Sequence, residues 1–347
     1  MKIHSARSEI LVNEVIFTDG QPGCGKTLFA SLISTLKRVE LYNFTAEIEN
    51  ICALNYLKKI DHDAAISMLK IQMDLTLYEL MMSRRVNFRP TDLSSAFQNP
   101  HLDKYIQRLF FKGDSLVPNK IIQNKPILHC VTHNLLSYSK PIFESFPGKV
   151  SFIEIIRHPI YQVIQQSVNH KNWMKKNGTA RQFHIYLKYK NKQYPFWAKD
   201  YSSEFLKANH VERSILDMYY MSRLTTKNKK TILSKYKKNI LTIPFEKFVI
   251  NPYPYIDKIS KLLGTSKSKS TLPEMIKQNV PRKKISDSID IEIYKRYGLQ
   301  KSNPNYNEIQ EIELRKKIVY KNNIKDKYRN MLEEMIIRYQ NQHKILL

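Results

Sequence analysis

Acidic residues are scarce in this chain of 347 residues: 31 Asp and Glu stand against 57 Lys and Arg, a formal net charge of +26. Net charge speaks to partners and solubility rather than to fold. It raises the idea of a polyanionic partner. Lys, Ile, Asn and Tyr are abundant together, however, so composition bias explains the excess until a site claims it. Glycine is also scarce, with 8 residues, which excludes collagen-like and Gly-rich low-complexity chains. Cysteine is limited to Cys24, Cys52 and Cys130, isolated and without a CxxC pair. That excludes a disulfide framework and a Cys-based zinc site, and it reads as a reducing compartment. No apolar run reaches the roughly 18 residues of a membrane span. The first apolar run leads straight into a motif that cleavage of a signal peptide would destroy. The expected location is the cytoplasm.

Hydrophobic residues make up 42% and aromatics 11%, enough for a sizeable core. The pattern is strand, loop, helix, repeated. Ile10–Thr18, Pro126–Val131, Val150–Ile156 and Ile240–Ile243 read as buried strands. Thr27–Lys37 and Asp63–Met82 carry apolar residues at helical spacing. Strands alternating with helices predict an α/β fold with a mostly parallel central sheet flanked by helices. Gln182–Trp197 reads as a hairpin inserted into that core. The tail from Asn305 reads as helical, with Ile309, Ile312, Val319, Ile324, Met331, Met335, Ile336 and Tyr339 as inner positions. The expected organisation is one domain over residues 1–300 and a helical C-terminal extension over 301–347 packed on it. The charge excess leans towards the C-terminal third. No Lys/Arg-rich element is free of interspersed acids in the tail, and no helix-turn-helix or zinc pattern appears, so nucleic acid is not the favoured partner.

Gly20-Gln21-Pro22-Gly23-Cys24-Gly25-Lys26-Thr27 fits the pattern G-x-x-x-x-G-K-S/T. It lies after a strand and before a helix, where the chemistry needs it. The glycines let backbone N–H groups curl around a phosphate, and the new helix presents its N-terminus. Lys26 adds a point charge and Thr27 a hydroxyl. Gly20, Gly23, Cys24, Gly25, Lys26 and Thr27 are therefore the expected phosphate-binding residues of a P-loop fold like that of the nucleoside-triphosphate hydrolases. An NTPase or kinase also needs an acidic residue at a strand end to hold Mg²⁺. Glu154 is mid-strand and poorly placed for that task, and no metal site is expected.

Three further segments, in order, resemble the cytosolic and carbohydrate sulfotransferases. Pro126-Ile-Leu-His-Cys-Val-Thr132-His133 is similar to the family's strand ending in its catalytic His. Phe152-Ile-Glu-Ile-Ile-Arg157-His158-Pro159 resembles the strand whose Arg binds the 3′-phosphate of the sulfate donor. Ile243-Pro-Phe245-Glu246 through Asn251-Pro252, Leu262, Leu263 and Gly264 resembles the family's late strand, acidic turn and helix. Pro281-Arg282-Lys283-Lys284 is similar to its basic loop over the same phosphate. The likeness spans roughly residues 10 to 285. It implies a sulfotransferase that uses 3′-phosphoadenosine 5′-phosphosulfate, with His133 as general base, Lys26 at the reacting phosphate, and no metal. Two departures stand out. The family's loop Lys often sits three places earlier, at Gly23 here. Its Ser eight residues after the Arg is Gln165, and the nearest Ser is Ser167. Gln165, Ser167, Arg282 and Lys283 join Arg157 as expected contacts of the 3′-phosphate end.

Each of these residues also has an ordinary reading. His133 fits a loop residue that ends a strand, and short basic runs such as Arg282–Lys284 are usually solvated. His129, inside its strand, reads as core. Tyr186, Tyr189, Tyr194, Phe196 and Trp197 fit either an acceptor wall or simple packing. The acceptor is expected to bear a hydroxyl, with a carbohydrate or an anionic compound among the options. The stretch after Arg157 is where an anionic one would bind. An ATP- or GTP-dependent kinase or NTPase is the competing function.

Overall fold

The computed structural model describes residues 3–345, except 112, 181, 287–302 and 304. A five-stranded, all-parallel sheet forms the centre, in the order β2-β3-β1-β4-β7. Its strands are β1 (Glu14–Asp19), β2 (Asn43–Phe44), β3 (Ile127–Val131), β4 (Val150–Ile156) and β7 (Ile240–Pro244). Parallel strands need helical crossovers that cover both faces, so β1, β3 and β4 are buried almost throughout. Ile10–Asn13 stays outside the ladder, although Val12 is fully buried.

Helix α1 (Lys26–Ile33) follows β1 and packs with Phe245, Phe248 and Ile256 on one sheet face. Helices α2 (Ala46–Tyr56) and α3 (His62–Leu80) cover the other. Beyond β4, helix α4 (Pro159–Trp173) opens with Pro159 at its first turn, where the missing N–H costs nothing. The expected hairpin is present as β5 (Tyr186–Tyr189) and β6 (Lys192–Pro195), a separate antiparallel pair. Helix α5 (His210–Lys230) starts on an Asn209/Glu212 capping box. After β7 come α6 (Phe245–Ile250) and α7 (Tyr253–Leu262).

The tail supplies α8 (Glu308–Tyr320) and α9 (Asp326–His343). Ile312, Val319, Ile324, Met331 and Ile336 share one core with Ile160 and Val163 of α4 and Ile215 of α5. Ile309, expected to face inward, is 62% exposed. The expected boundary at 300/301 lies outside the described residues. Among the described residues no helix is long and apolar enough to cross a membrane.

Candidate functional site

The site lies where β1, β3, β4 and β7 end together. Gly25 caps α1 with φ 94°, a left-handed conformation that side chains resist. A Cβ there would lie 2.4 Å from Cε2 of Phe245. At Gly23 the same space is bounded by Cβ and Oε1 of Gln165, both 3.3 Å away. The loop is thus held between α6 and α4. Cys24 is fully buried, and burial pushes its thiol up, so it offers the site its backbone alone. Lys26 Nζ donates to the carbonyls of Gly20 (2.7 Å) and Gln21 (3.1 Å). That leaves the ammonium one further donor. Thr27 is half-buried on the first turn of α1.

Arg157 follows the last residue of β4. Its Nη1 donates to the Gly23 carbonyl at 3.1 Å, and its guanidinium carbon lies 4.4 Å from the ring centre of Phe245. The Arg282 guanidinium lies over the same ring at 5.5 Å. Phe245 therefore joins the loop, Arg157 and Arg282 in one place. Glu246 beside it is fully buried. Burial pushes its carboxyl up, opposed by the Arg157 charge and by hydrogen bonds from Tyr339 and the His158 N–H. Ser167 is not brought to the loop: its Oγ donates to Ile164 O within its own helix. The next residue back, Gln166, reaches the loop instead, with Nε2 3.0 Å from Pro22 O. Lys283 is exposed.

His133 sits beyond β3 on the other side of the loop. Glu49, in the first turns of α2, accepts from both the His133 backbone N–H (2.7 Å) and its Nδ1 (3.1 Å). A carboxylate only accepts, so the neutral imidazole carries its proton on Nδ1 and leaves Nε2 as an acceptor. The ring also stacks near Phe44, with centroids 6.1 Å apart and planes 16° apart. The loop bearing His133 is tied to the phosphate loop. Asp19, fully buried, accepts from Thr132 Oγ1, Leu135 N and Leu136 N, and Asn134 N donates to Gly20 O. Burial pushes the Asp19 carboxyl up, against these hydrogen bonds and the Lys26 charge. His129 is the core residue expected, fully buried between Thr18 Oγ1 and Ser34 Oγ. Burial holds it at about 3.

His133, Glu49 and Phe44 line a cleft of about 390 Å³ that also touches Gln21 and Pro22 of the phosphate loop. Its walls include Tyr138, Trp173, Phe183, Phe196 and Trp197. Of the five hairpin aromatics, Phe196 and Trp197 face it. His184, between Trp197 and Tyr186, is held at about 4 by burial and is therefore neutral. Among the described lining residues none is Lys or Arg.

Glu49, Phe44 and Phe245 were not foreseen from sequence. Glu49 carries no motif, and its only local signal is an acid in the first turn of a helix, which usually just complements the dipole.

No protein-family model matches the chain, and no curated protein matches it. Solved structures do. The sulfotransferase domain of the olefin synthase from Synechococcus PCC 7002 is 12% identical, with a TM-score of 0.40, covering 92% of this chain and 99% of that one. A sulfotransferase from Mycobacterium avium is 10% identical, with a TM-score of 0.42, covering 97% and 78%. A retinol dehydratase, solved with androsterone and inactive cofactor PAP, is 13% identical, with a TM-score of 0.33, covering 97% and 83%.

Proposed function

We propose that this protein is a sulfotransferase that moves a sulfuryl group from 3′-phosphoadenosine 5′-phosphosulfate to an acceptor hydroxyl. One observation carries the reading: Arg157 and Arg282 each pack on the ring of Phe245, which itself closes on Gly25 of the phosphate loop. That gives two separate anion-binding points at one site, one for each end of a doubly phosphorylated nucleotide. Gly20 to Thr27 hold the 5′-phosphosulfate through loop N–H groups and Lys26. Arg157 and Arg282 hold the 3′-phosphate, with Gln165 beside the loop at Gly23. Lys283 adds field from the surface.

His133 Nε2 takes the hydroxyl proton as the acceptor oxygen bonds to sulfur. The bond from sulfur to the 5′-phosphate oxygen breaks, and its electron pair stays on that oxygen. Lys26 and the loop N–H groups meet the charge that builds there. Glu49 acts through His133: it fixes the tautomer and stabilises the imidazolium that forms.

The acceptor is read from the cleft. Aromatic walls, with no Lys or Arg among the described lining residues, favour an uncharged compound with a flat apolar body over an anionic one. The part of α4 reached by the cleft supplies Gln166, Asn169, His170 and Trp173 rather than its Lys171. The three cysteines are all buried and unpaired, which supports a cytoplasmic setting.

Lys26, in the position typical of NTPases, carries the competing kinase or NTPase reading. That chemistry wants a free carboxylate near the loop for Mg²⁺. Asp19 is committed to Thr132, Leu135 and Leu136, and Glu154 to Lys229 and Thr242. Thermal stabilisation separates the two. Adenosine 3′,5′-bisphosphate without Mg²⁺ is expected to raise Tm, and a response to Mg-ATP alone would refute the sulfotransferase.

A further inference from the structure

Helix α8 of the C-terminal tail packs on the same tyrosine ring as the guanidinium that bonds the phosphate loop. Arg157, Tyr161 and Gln165 recur every four residues and so share one side of the chain entering α4. The Arg157 guanidinium carbon lies 5.1 Å from the Tyr161 ring centre. Arg315, from α8, lies 4.7 Å from that ring. Phe245 then joins Arg157 to Arg282. Three guanidinium groups from three separate segments are thus bridged by two aromatic rings.

Three polar atoms in this row lack hydrogen-bond partners among the described residues. They are Arg157 Nε, Tyr161 Oη and Arg315 Nε, and all are buried. Tyr161 as a residue is 7% exposed. Buried donors are nearly always satisfied, and leaving one unmet is costly. Three together, two of them on cations, call for an acceptor that carries negative charge. Burial pushes the Tyr161 hydroxyl up, so it stays protonated and able to donate.

Carboxylates also face this row. Glu311 pairs with Arg315 at 2.5 Å, Glu308 accepts from Ile285 N, and Glu246 lies by Arg157. Of these, Glu311 holds the Arg315 guanidinium through its Nη2. Their bonds leave the two Nε–H groups and the Tyr161 hydroxyl uncommitted.

We propose that Tyr161 and Arg315 join Arg157 in holding the phosphate of the donor nucleotide remote from the transferred group, so that helix α8 forms a wall of the donor site. The inference rests on the sulfotransferase reading and adds to it a contact from the C-terminal extension.

Calorimetric titration of the full chain without Mg²⁺ tests it, with adenosine 3′,5′-bisphosphate and adenosine 5′-monophosphate as the two probes. Arg315→Met is expected to weaken the bisphosphate at least tenfold and the monophosphate less than twofold. Tyr161→Phe is expected to weaken the bisphosphate about threefold, with the monophosphate unchanged. Tyr161→Phe keeps the ring and removes only an unpartnered hydroxyl, so it decides the question if Arg315→Met fails to fold. Equal weakening of both probes, or none, overturns the assignment. A wild-type protein that does not prefer the bisphosphate refutes the sulfotransferase reading itself, and this inference with it. A wild type that does prefer it, with variants unchanged, refutes the inference alone.

Discussion

Glu49 gives the sharpest test of the chemistry, because its task can be measured without knowing the acceptor. Its carboxylate accepts two hydrogen bonds from His133, at 2.7 Å from the backbone N–H and 3.1 Å from Nδ1. The Glu49 side chain is 18% exposed and that of His133 46%, so solvent screens the pair in part. A hydrogen bond to a charged group is worth about 1.5–3 kcal/mol, and the lower end suits this exposure. About 1.4 kcal/mol is tenfold in rate. Glu49→Gln keeps an acceptor oxygen and loses the charge, so kcat is expected to fall roughly three- to tenfold. Glu49→Leu removes both bonds and is expected to cost roughly ten- to a hundredfold, with binding of the donor nucleotide unchanged. The direct assay is ¹⁵N NMR of the labelled imidazole. The wild type should show His133 protonated on Nδ1, Glu49→Gln should largely keep that tautomer, and Glu49→Leu should lose it. A wild-type ring protonated on Nε2, or a tautomer unmoved in the Leu variant, refutes the reasoning.

His133→Ala should abolish transfer while leaving nucleotide-induced stabilisation intact; full turnover would remove His133 as the base. Arg157→Ala should weaken adenosine 3′,5′-bisphosphate far more than adenosine 5′-monophosphate, as titration of both would show. Gly25→Ala must fit a Cβ 2.4 Å from the Phe245 ring in a left-handed conformation. A strain of about 1–3 kcal/mol from the backbone alone predicts lower Tm and lost nucleotide binding. Glu40 reports on stability. Burial opposes its ionisation, but Lys104 and Arg108 outweigh that and hold its carboxyl at about 2. Its folded value is below its unfolded one, so its contribution is present above about pH 4.5 and is lost as pH falls towards 2. Glu40→Gln should cost about 3 kcal/mol at neutral pH in denaturant unfolding, with the difference from wild type shrinking in acid.

The parts of the site that the sequence made legible are those built from neighbours along the chain. Gly20 to Thr27 must follow a strand and open a helix, and a few adjacent residue types announce that. Arg157 was legible because a cation ending an apolar strand has little reason to be core. The split between buried His129 and half-exposed His133 followed from where β3 ends. Glu49, Phe245 and Arg315 were not legible, because each matters only through a contact between distant segments. Glu49 and His133 are 84 positions apart. Ile309 was misplaced for a related reason: apolar spacing marks a helix, but the partner surface decides which turn is covered. Ser167 shows the limit of spacing read on a helix, where a hydroxyl readily bonds its own backbone.

The buried carboxylate of Asp19 has a mechanical consequence. It accepts from Thr132 before His133 and from Leu135 and Leu136 after it, while Asn134 reaches back to Gly20. Both stems of the His133 turn are therefore pinned to the strand that launches the phosphate loop. His133 and the phosphate loop are thus tied to one strand end, whereas the aromatic cleft walls Trp173, Phe183, Phe196 and Trp197 come from other segments. Those walls can be exchanged without changing the spacing between His133 and the phosphate loop.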